Sequence, residues 1–170
     1  TAVLTKLKKV NPDVIYMSTY QPEGSKMIQQ ARKLGLESVF MSEDAVYHPK
    51  FLEVAGPAAE GVYLTFAKAP DTPERQAFEE TYKKKWNTDA LGSYAYYAYD
   101  AAMVILGAAA KGSALDGESL AKTIRENEWD GVSGQIKFDE KGDRELAHII
   151  WVVKDNQFVP YWDPLTGQDL

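Results

Sequence analysis

The sequence predicts an α/β fold built on parallel strands, and three observations predict it. Residues 13–44 read as strand, loop, helix, strand, loop. A third apolar run at residues 61–66 follows another short helical stretch, so strands alternate with helices. The run Val14-Ile15-Tyr16-Met17 is almost continuously apolar, the pattern of a strand covered on both faces. Two such strands joined by a helix lie parallel through a right-handed crossover.

Ligands of open α/β sheets bind beyond the carboxyl ends of the strands. Here those ends carry Ser18, Thr19 and Tyr20 on one strand and Glu43 and Asp44 on the next. Hydroxyls and an acid side by side suit a cationic or amphoteric small molecule. Glu43 and Asp44 are adjacent, point different ways, and do not form a paired acid/base set by spacing. Taken bare, Asp44 is more often a loop acid or a helix cap than a ligand contact.

The elements follow in order. Residues 1–9 place Val3, Leu4 and Leu7 at helical spacing, ended by Asn11-Pro12. The helix opened by Glu23-Gly24-Ser25 has a stripe of Met27, Ile28, Ala31 and Leu34, with Gly35 as its stop. Ser38-Val39-Phe40-Met41 is the second strand. Tyr47-His48-Pro49 begins a short helix stopped by Gly56-Pro57. Residues 67–72, with Pro70 and then Pro73 amid a charge change, read as a linker. Thr72 caps a helix with Pro73 at its first position. Lys83, Lys84 and Lys85 at its far end suit the helix dipole. Residues 93–111 are apolar nearly all round, which predicts a buried helix ended by Gly112. Residues 119–127 form a further helix with Ser119 at the cap. Residues 134–138 alternate like a strand, residues 139–143 form a turn, and residues 146–153 form a long strand turned by Asp155-Asn156 toward Phe158-Val159. The part before residue 67 and the part after Pro73 read as pieces of two subdomains rather than one closed sheet.

The chain has 170 residues, a net charge of −6 and no cysteine. The acidic balance argues against nucleic acid as a partner. Without cysteine there is no disulfide framework and no thiolate metal site. The chain begins at Thr1 without methionine, which leads us to expect a piece of something longer, with any signal peptide outside it.

Catalytic chemistry is hard to find. A glycine-rich phosphate loop, His-Glu-x-x-His and Gly-x-Ser-x-Gly are all absent, and no cofactor is expected. Ser119-Leu120-Ala121-Lys122 matches Ser-x-x-Lys by chance, because its supporting motifs are missing. Residues 139–143 lack calcium-loop spacing. His48 and His148 are far apart in sequence, and His148, in a strand, reads as a packed ring. The tyrosines at 94–99 read as core, with Tyr94, at the helix start, the one that faces a cleft. The residues alone give an α/β binding module.

Four stretches carry a resemblance. They are residues 13–36 (Asp13-Val14-Ile15-Tyr16 through Tyr20-Gln21-Pro22-Glu23-Gly24 to Gln30-Ala31-Arg32-Lys33-Leu34-Gly35-Leu36), residues 55–62 (Ala55-Gly56-Pro57 to Gly61-Val62), residues 97–102 (Tyr97-Ala98-Tyr99-Asp100-Ala101-Ala102) and residues 134–143 (Gly134-Gln135-Ile136-Lys137-Phe138 to Gly142-Asp143). In this order they resemble the leucine/isoleucine/valine-binding protein family, the type I periplasmic solute receptors of ABC transporters. The resemblance implies parallel-sheet, three-layer lobes that close on a ligand, and that this chain holds only the C-terminal half. By resemblance, residues 1–66 belong to the second lobe, 67–72 cross between lobes, 73–146 belong to the first lobe, and 147–170 return to the second.

The resemblance also implies the site. Tyr20 matches the tyrosine lining the ligand, Asp44 the acid receiving its ammonium group, and Tyr94 an aromatic packing on its side chain. Ser18 or Thr19 would add acceptors, since an ammonium leaving water needs a charged partner and further acceptors. Aspartate, where some relatives have glutamate, shortens the reach by one methylene. The implied protein is a periplasmic or cell-surface receptor, not an enzyme, whose partners are an amino acid or similar small molecule and a transporter permease. A cytoplasmic amide-type effector sensor of the same fold is the alternative. A half-protein would expose sheet edges and be held by its missing half or by a second copy.

Overall fold

The computed structural model describes residues 2–170 except 91, 113–115, 145 and 147. In chain order the elements are α1 (Ala2–Val10), β1 (Val14–Met17), α2 (Glu23–Lys33), β2 (Val39–Ser42), α3 (Pro49–Ala55), β3 (Tyr63–Ala67), α4 (Pro73–Trp86), α5 (Gly92–Lys111), α6 (Gly117–Arg125), β4 (Trp129–Gly131), β5 (Gly134–Ile136), β6 (His148–Lys154), β7 (Gln157–Asp163) and β8 (Gln168–Asp169). Short 3₁₀ turns at Asp44–Val46 and Gly56–Ala59 flank α3. The chain divides into two compact units, Thr1–Ala67 with His148–Leu170, and Lys68–Ala147. Residues 68–72 have no regular structure. Of the residues expected in the first helix and in the strand at 146–153, Thr1 and Ala147 lie outside the described residues.

The first unit holds a mixed sheet in the order β1-β2-β3-β6-β7-β8. β1, β2 and β3 are parallel, as the strand–helix–strand reading requires, with Val14↔Val39 through Met17↔Ser42 in register. β6 joins β3 antiparallel, and β6 and β7 form a hairpin. Asp155 (φ 51°) and Asn156 (φ 57°) supply its two-residue turn, the left-handed pair that matches strand twist. Of the α2 stripe, Ile28 and Ala31 are fully buried while Met27 and Leu34 are half-buried, and Gly35, at φ 71°, ends the helix.

One expectation for this unit fails. β1 is covered on one face, not two: Ile15 and Met17 are buried, while Val14 is 56 % and Tyr16 60 % exposed. A continuous apolar run records what the side chains are and leaves open what lies over them. β1 is also the end strand of its sheet, so among the described residues an open edge adjoins an uncovered apolar face.

An aromatic cluster closes the other end of the core. The Tyr47 ring lies 4.6 Å from Phe66, 4.6 Å from Phe158 and 5.1 Å from Trp151. The Trp151 indole N–H donates to the Phe66 carbonyl at 3.1 Å. Burial in this cluster pushes the Tyr47 phenol above its ordinary value.

In the second unit, Thr72 caps α4 as expected, its hydroxyl oxygen accepting from the Arg75 amide at 3.2 Å. Two expectations are corrected. The cap of α6 is Asp116, which accepts from the Ser119 amide at 3.0 Å, so Ser119 lies inside the helix. α5 is not buried all round. Tyr96, Asp100, Val104 and Ala108 are buried at four-residue spacing, while Met103, Ile105 and Leu106 are about half exposed or more. Apolar composition on every side therefore leaves a second, uncovered face. β4 was not foreseen, because Trp129-Asp130-Gly131 is too short to show alternation; it pairs antiparallel with β5. In the first unit, His148 is exposed rather than packed. The turn at 139–143 is as expected, with Asp139 Oδ1 accepting from the amides of Lys141 and Asp143.

Candidate functional site

The parallel pair β1–β2 ends at Met17↔Ser42. Beyond that register the ladder stops, and side chains take over the bridging. Ser42 is fully buried and its hydroxyl donates to the Met17 carbonyl at 2.8 Å. One residue further on, the Ser18 hydroxyl donates to Glu43 Oε1 at 3.1 Å. Two successive bonds thus tie the loop that carries Tyr20 to the loop that carries Asp44.

Each loop is anchored again at its far side. The Tyr20 carbonyl accepts from the Gly24 amide at 2.9 Å, fixing its loop to the start of α2. Asp44 opens the turn Asp44–Val46, its carbonyl accepts from the Tyr47 amide at 2.8 Å, and Val46 is fully buried. Both loops converge on Gly24. A Cβ built there would lie 2.7 Å from Thr19 Oγ1 and 3.2 Å from Val46 Cγ1. Glycine inside the first turn of a helix costs helix propensity. Here it allows two loops to meet on one backbone position.

The predicted residues fall unequally. Tyr20 is 77 % exposed, Ser18 is exposed, and Asp44 is half-buried, so the edge presents an aromatic ring, a hydroxyl and a carboxylate. Thr19 stands apart. Its hydroxyl oxygen is buried against Gly24 with no hydrogen-bond partner among the described residues, so it faces the helix and not the edge. Tyr94 belongs to the second unit, in the first turn of α5, where it is 40 % exposed beside buried Ser93.

Sequence reasoning misses two contributors to this edge, Glu43 and Gly24, and one buried cluster of the second unit. The sequence places Glu43 at the strand end but not its bond to Ser18, which crosses 25 positions that no spacing rule connects. Gly24 was read as a helix opener. Asp100 lies in the stretch at residues 97–102, where the sequence assigns it no role. It is 2 % exposed and accepts from the amides of Val132 at 2.8 Å and Ser133 at 2.9 Å, and from the Ser133 hydroxyl. Arg144 completes that cluster, donating to Ser133 Oγ at 2.8 Å and stacking over Tyr97. Burial lowers the Arg144 pKa and raises that of Tyr97. One sequence signal was available for Asp100: it is the single acid in an otherwise apolar helix.

The second unit also has an apolar cleft of about 710 Å³ between α4 and α5, where Phe78, Tyr82, Trp86 and Tyr99 lie. Among the described residues, no cluster of three or more acids and histidines could hold a metal, and no helix is long and apolar enough to cross a membrane.

Residues 1–157 match the periplasmic binding protein family. The chain belongs to that family. Among curated members, the leucine-, isoleucine-, valine-, threonine- and alanine-binding protein of Pseudomonas aeruginosa is 34 % identical over 143 residues, 84 % of this chain and 38 % of that protein. The Leu/Ile/Val-binding protein of Escherichia coli is 33 % identical over 144 residues, again 84 % of this chain and 38 % of that protein. Among solved structures, a leucine binding protein from Thermotoga maritima superposes with a TM-score of 0.83 at 31 % identity, covering 97 % of this chain and 49 % of that one. An isoleucine complex of a branched-chain amino acid binding protein from Streptococcus pneumoniae shares the fold, with a TM-score of 0.75 at 23 % identity over 94 % of this chain. This periplasmic binding protein chain thus spans about two fifths of the length of its curated relatives, and the fold is that of the type I periplasmic binding proteins. The relatives are solute-binding proteins.

Proposed function

We propose that the chain is part of an extracytoplasmic solute receptor of an ABC importer, periplasmic or at the cell surface, which delivers its ligand to a membrane permease. The ligand is an amino acid or a similar small amphoteric molecule. In this reading the first unit is part of the second lobe, Ala67 to Thr72 is the crossing, with Ala67 still the last residue of β3, and the second unit is part of the first lobe. Asp44 receives the ligand's ammonium group, with the Ser18 oxygen as a further acceptor. Tyr20 lines the ligand, Thr19 supports the Tyr20 loop from beneath, and Tyr94 packs on the ligand's side chain from the other lobe.

The observation that carries this reading is the tied edge itself. An acid, a hydroxyl and an exposed tyrosine stand past the carboxyl ends of two parallel strands, where α/β sheets bind ligands. The relatives' names, which specify leucine, isoleucine and valine, supply the ligand class. The uncovered face and open edge of β1 support the two-lobed reading, because an unpaired edge beside exposed valine and tyrosine is a surface for further chain. Titration calorimetry of the intact receptor with a panel of L-amino acids tests the proposal. Binding of at least one aliphatic amino acid at micromolar concentration is expected. Binding only of ligands without an amine, such as aromatic acids, would refute it.

A further inference from the structure

We propose that Glu43 fixes the polarity of the Ser18 hydroxyl and thereby makes this edge select a protonated amine over a hydroxyl. The inference rests on the reading of the edge as an amino-acid site and adds to it a specificity-determining residue that does not itself touch the ligand.

The argument starts from proton counting. A carboxylate has acceptors only, and a serine hydroxyl has one proton and two lone pairs. In the Ser18–Glu43 bond the hydroxyl must therefore be the donor, and its only proton is committed to Glu43 Oε1 at 3.1 Å. Ser18 is exposed, so what it offers to solvent or to a ligand is lone pairs alone. The Asp44 carboxylate, two residues past the end of β2, offers acceptors alone as well. The side chains of Ser18 and Asp44 then form an acceptor-only wall beside Tyr20. An ammonium group brings three donors and no acceptor and satisfies such a wall. A hydroxyl in the same place brings one donor, and its own lone pairs face those of Ser18. Without Glu43, the Ser18 hydroxyl could turn its proton toward the ligand and accommodate either group.

Glu43 is fitted for this by the backbone. It follows Ser42, whose buried bond to Met17 fixes the end of the ladder, so Glu43 and Ser18 face each other one step beyond the last paired residues. Among the described residues Glu43 takes part in no ion pair, so its contact with Ser18 is not a by-product of a salt bridge made elsewhere. Glu43 is a positioning residue, since it acts through Ser18.

The test measures a ratio rather than an affinity. Calorimetry on the intact receptor would compare L-leucine, L-isoleucine and L-valine with their 2-hydroxy acid analogues, for the wild type and for Glu43→Ala, Glu43→Gln, Ser18→Ala and the Ser18→Ala/Glu43→Ala double variant. Glu43→Ala is expected to lower the amine-to-hydroxyl preference about tenfold, the size of one hydrogen bond to a charged ligand group. Ser18→Ala should lower it similarly, and the double variant no further. Glu43→Gln keeps an acceptor for Ser18 and should restore most of the preference. An unchanged ratio in Glu43→Ala would overturn the inference while leaving the amino-acid reading intact. So would a Glu43→Gln variant that matches Glu43→Ala while Ser18→Ala matches wild type, since that pattern is plain charge. A wild type that binds none of the amino acids would overturn the underlying reading and this inference with it.

Discussion

Asp100 grips Ser133 twice, by its backbone amide at 2.9 Å and by its hydroxyl, and takes the Val132 amide as well. The acid is 2 % exposed, so these three donors stand in for the water it has lost. Through them α5 holds the loop between β4 and β5. Gly131 is part of the same arrangement, because a Cβ there would lie 2.5 Å from Asp100 Oδ2.

Asp100→Ala is therefore expected to destabilise the second unit by about 3 kcal/mol, since it strands buried donors as well as removing bonds. Urea denaturation gives the magnitude. Hydrogen exchange gives the location: the Val132 and Ser133 amides should lose protection before the rest of the unit.

Gly24→Ala should weaken ligand binding at the proposed site even though alanine is the better helix former by about 1 kcal/mol. The new methyl group would press on Thr19 and Val46, which lie at 2.7 and 3.2 Å, and so spread the Tyr20 and Asp44 loops. Calorimetry of the intact receptor should read a loss of about tenfold or more. Gain in both stability and affinity would mean that the two loops do not depend on this contact.

Stability should fall in alkali because of Tyr47. Burial among Phe66, Trp151 and Phe158 raises its pKa above the ordinary 10.0, so the folded protein holds a proton that the unfolded chain releases. Stability is intact below pH 10 and is lost as pH climbs through the folded value. Tyr47→Phe should flatten that part of a pH–stability curve measured by thermal melting.

The 170-residue chain alone should associate. β1 presents an open edge and exposed Val14 and Tyr16, and α5 presents Met103, Ile105 and Leu106. Light scattering across a concentration series should give masses above that of one chain. A clean monomer that also binds an amino acid at micromolar concentration would contradict the two-lobed reading.

Much of the architecture was legible because it rests on local rules. Gly35, Thr72 with Pro73, and Asp155-Asn156 each mark an end, a start or a turn through backbone geometry that one or two residues dictate. Coverage was not legible. Val14 and Tyr16 on β1, and Met103 and Leu106 on α5, are as apolar as core residues, and only the tertiary structure says that they are exposed. At the candidate site, the strand ends supplied Ser18, Thr19, Tyr20, Glu43 and Asp44, and the resemblance supplied the roles expected of Tyr20 and Asp44. The Ser18–Glu43 bond and the convergence on Gly24 join distant positions, and nothing in local periodicity reports them.

The central claim is that Asp44 receives the ammonium group of an amino acid. Native mass spectrometry of the intact receptor, purified with whatever ligand it carries, tests this most directly when wild type and Asp44→Asn are compared. The account predicts an α-amino acid bound to the wild type and absent from the variant, because removing the counter-charge of a bound ammonium costs about 2–5 kcal/mol. Equal occupancy in both proteins, or a bound molecule without an amine, would contradict it.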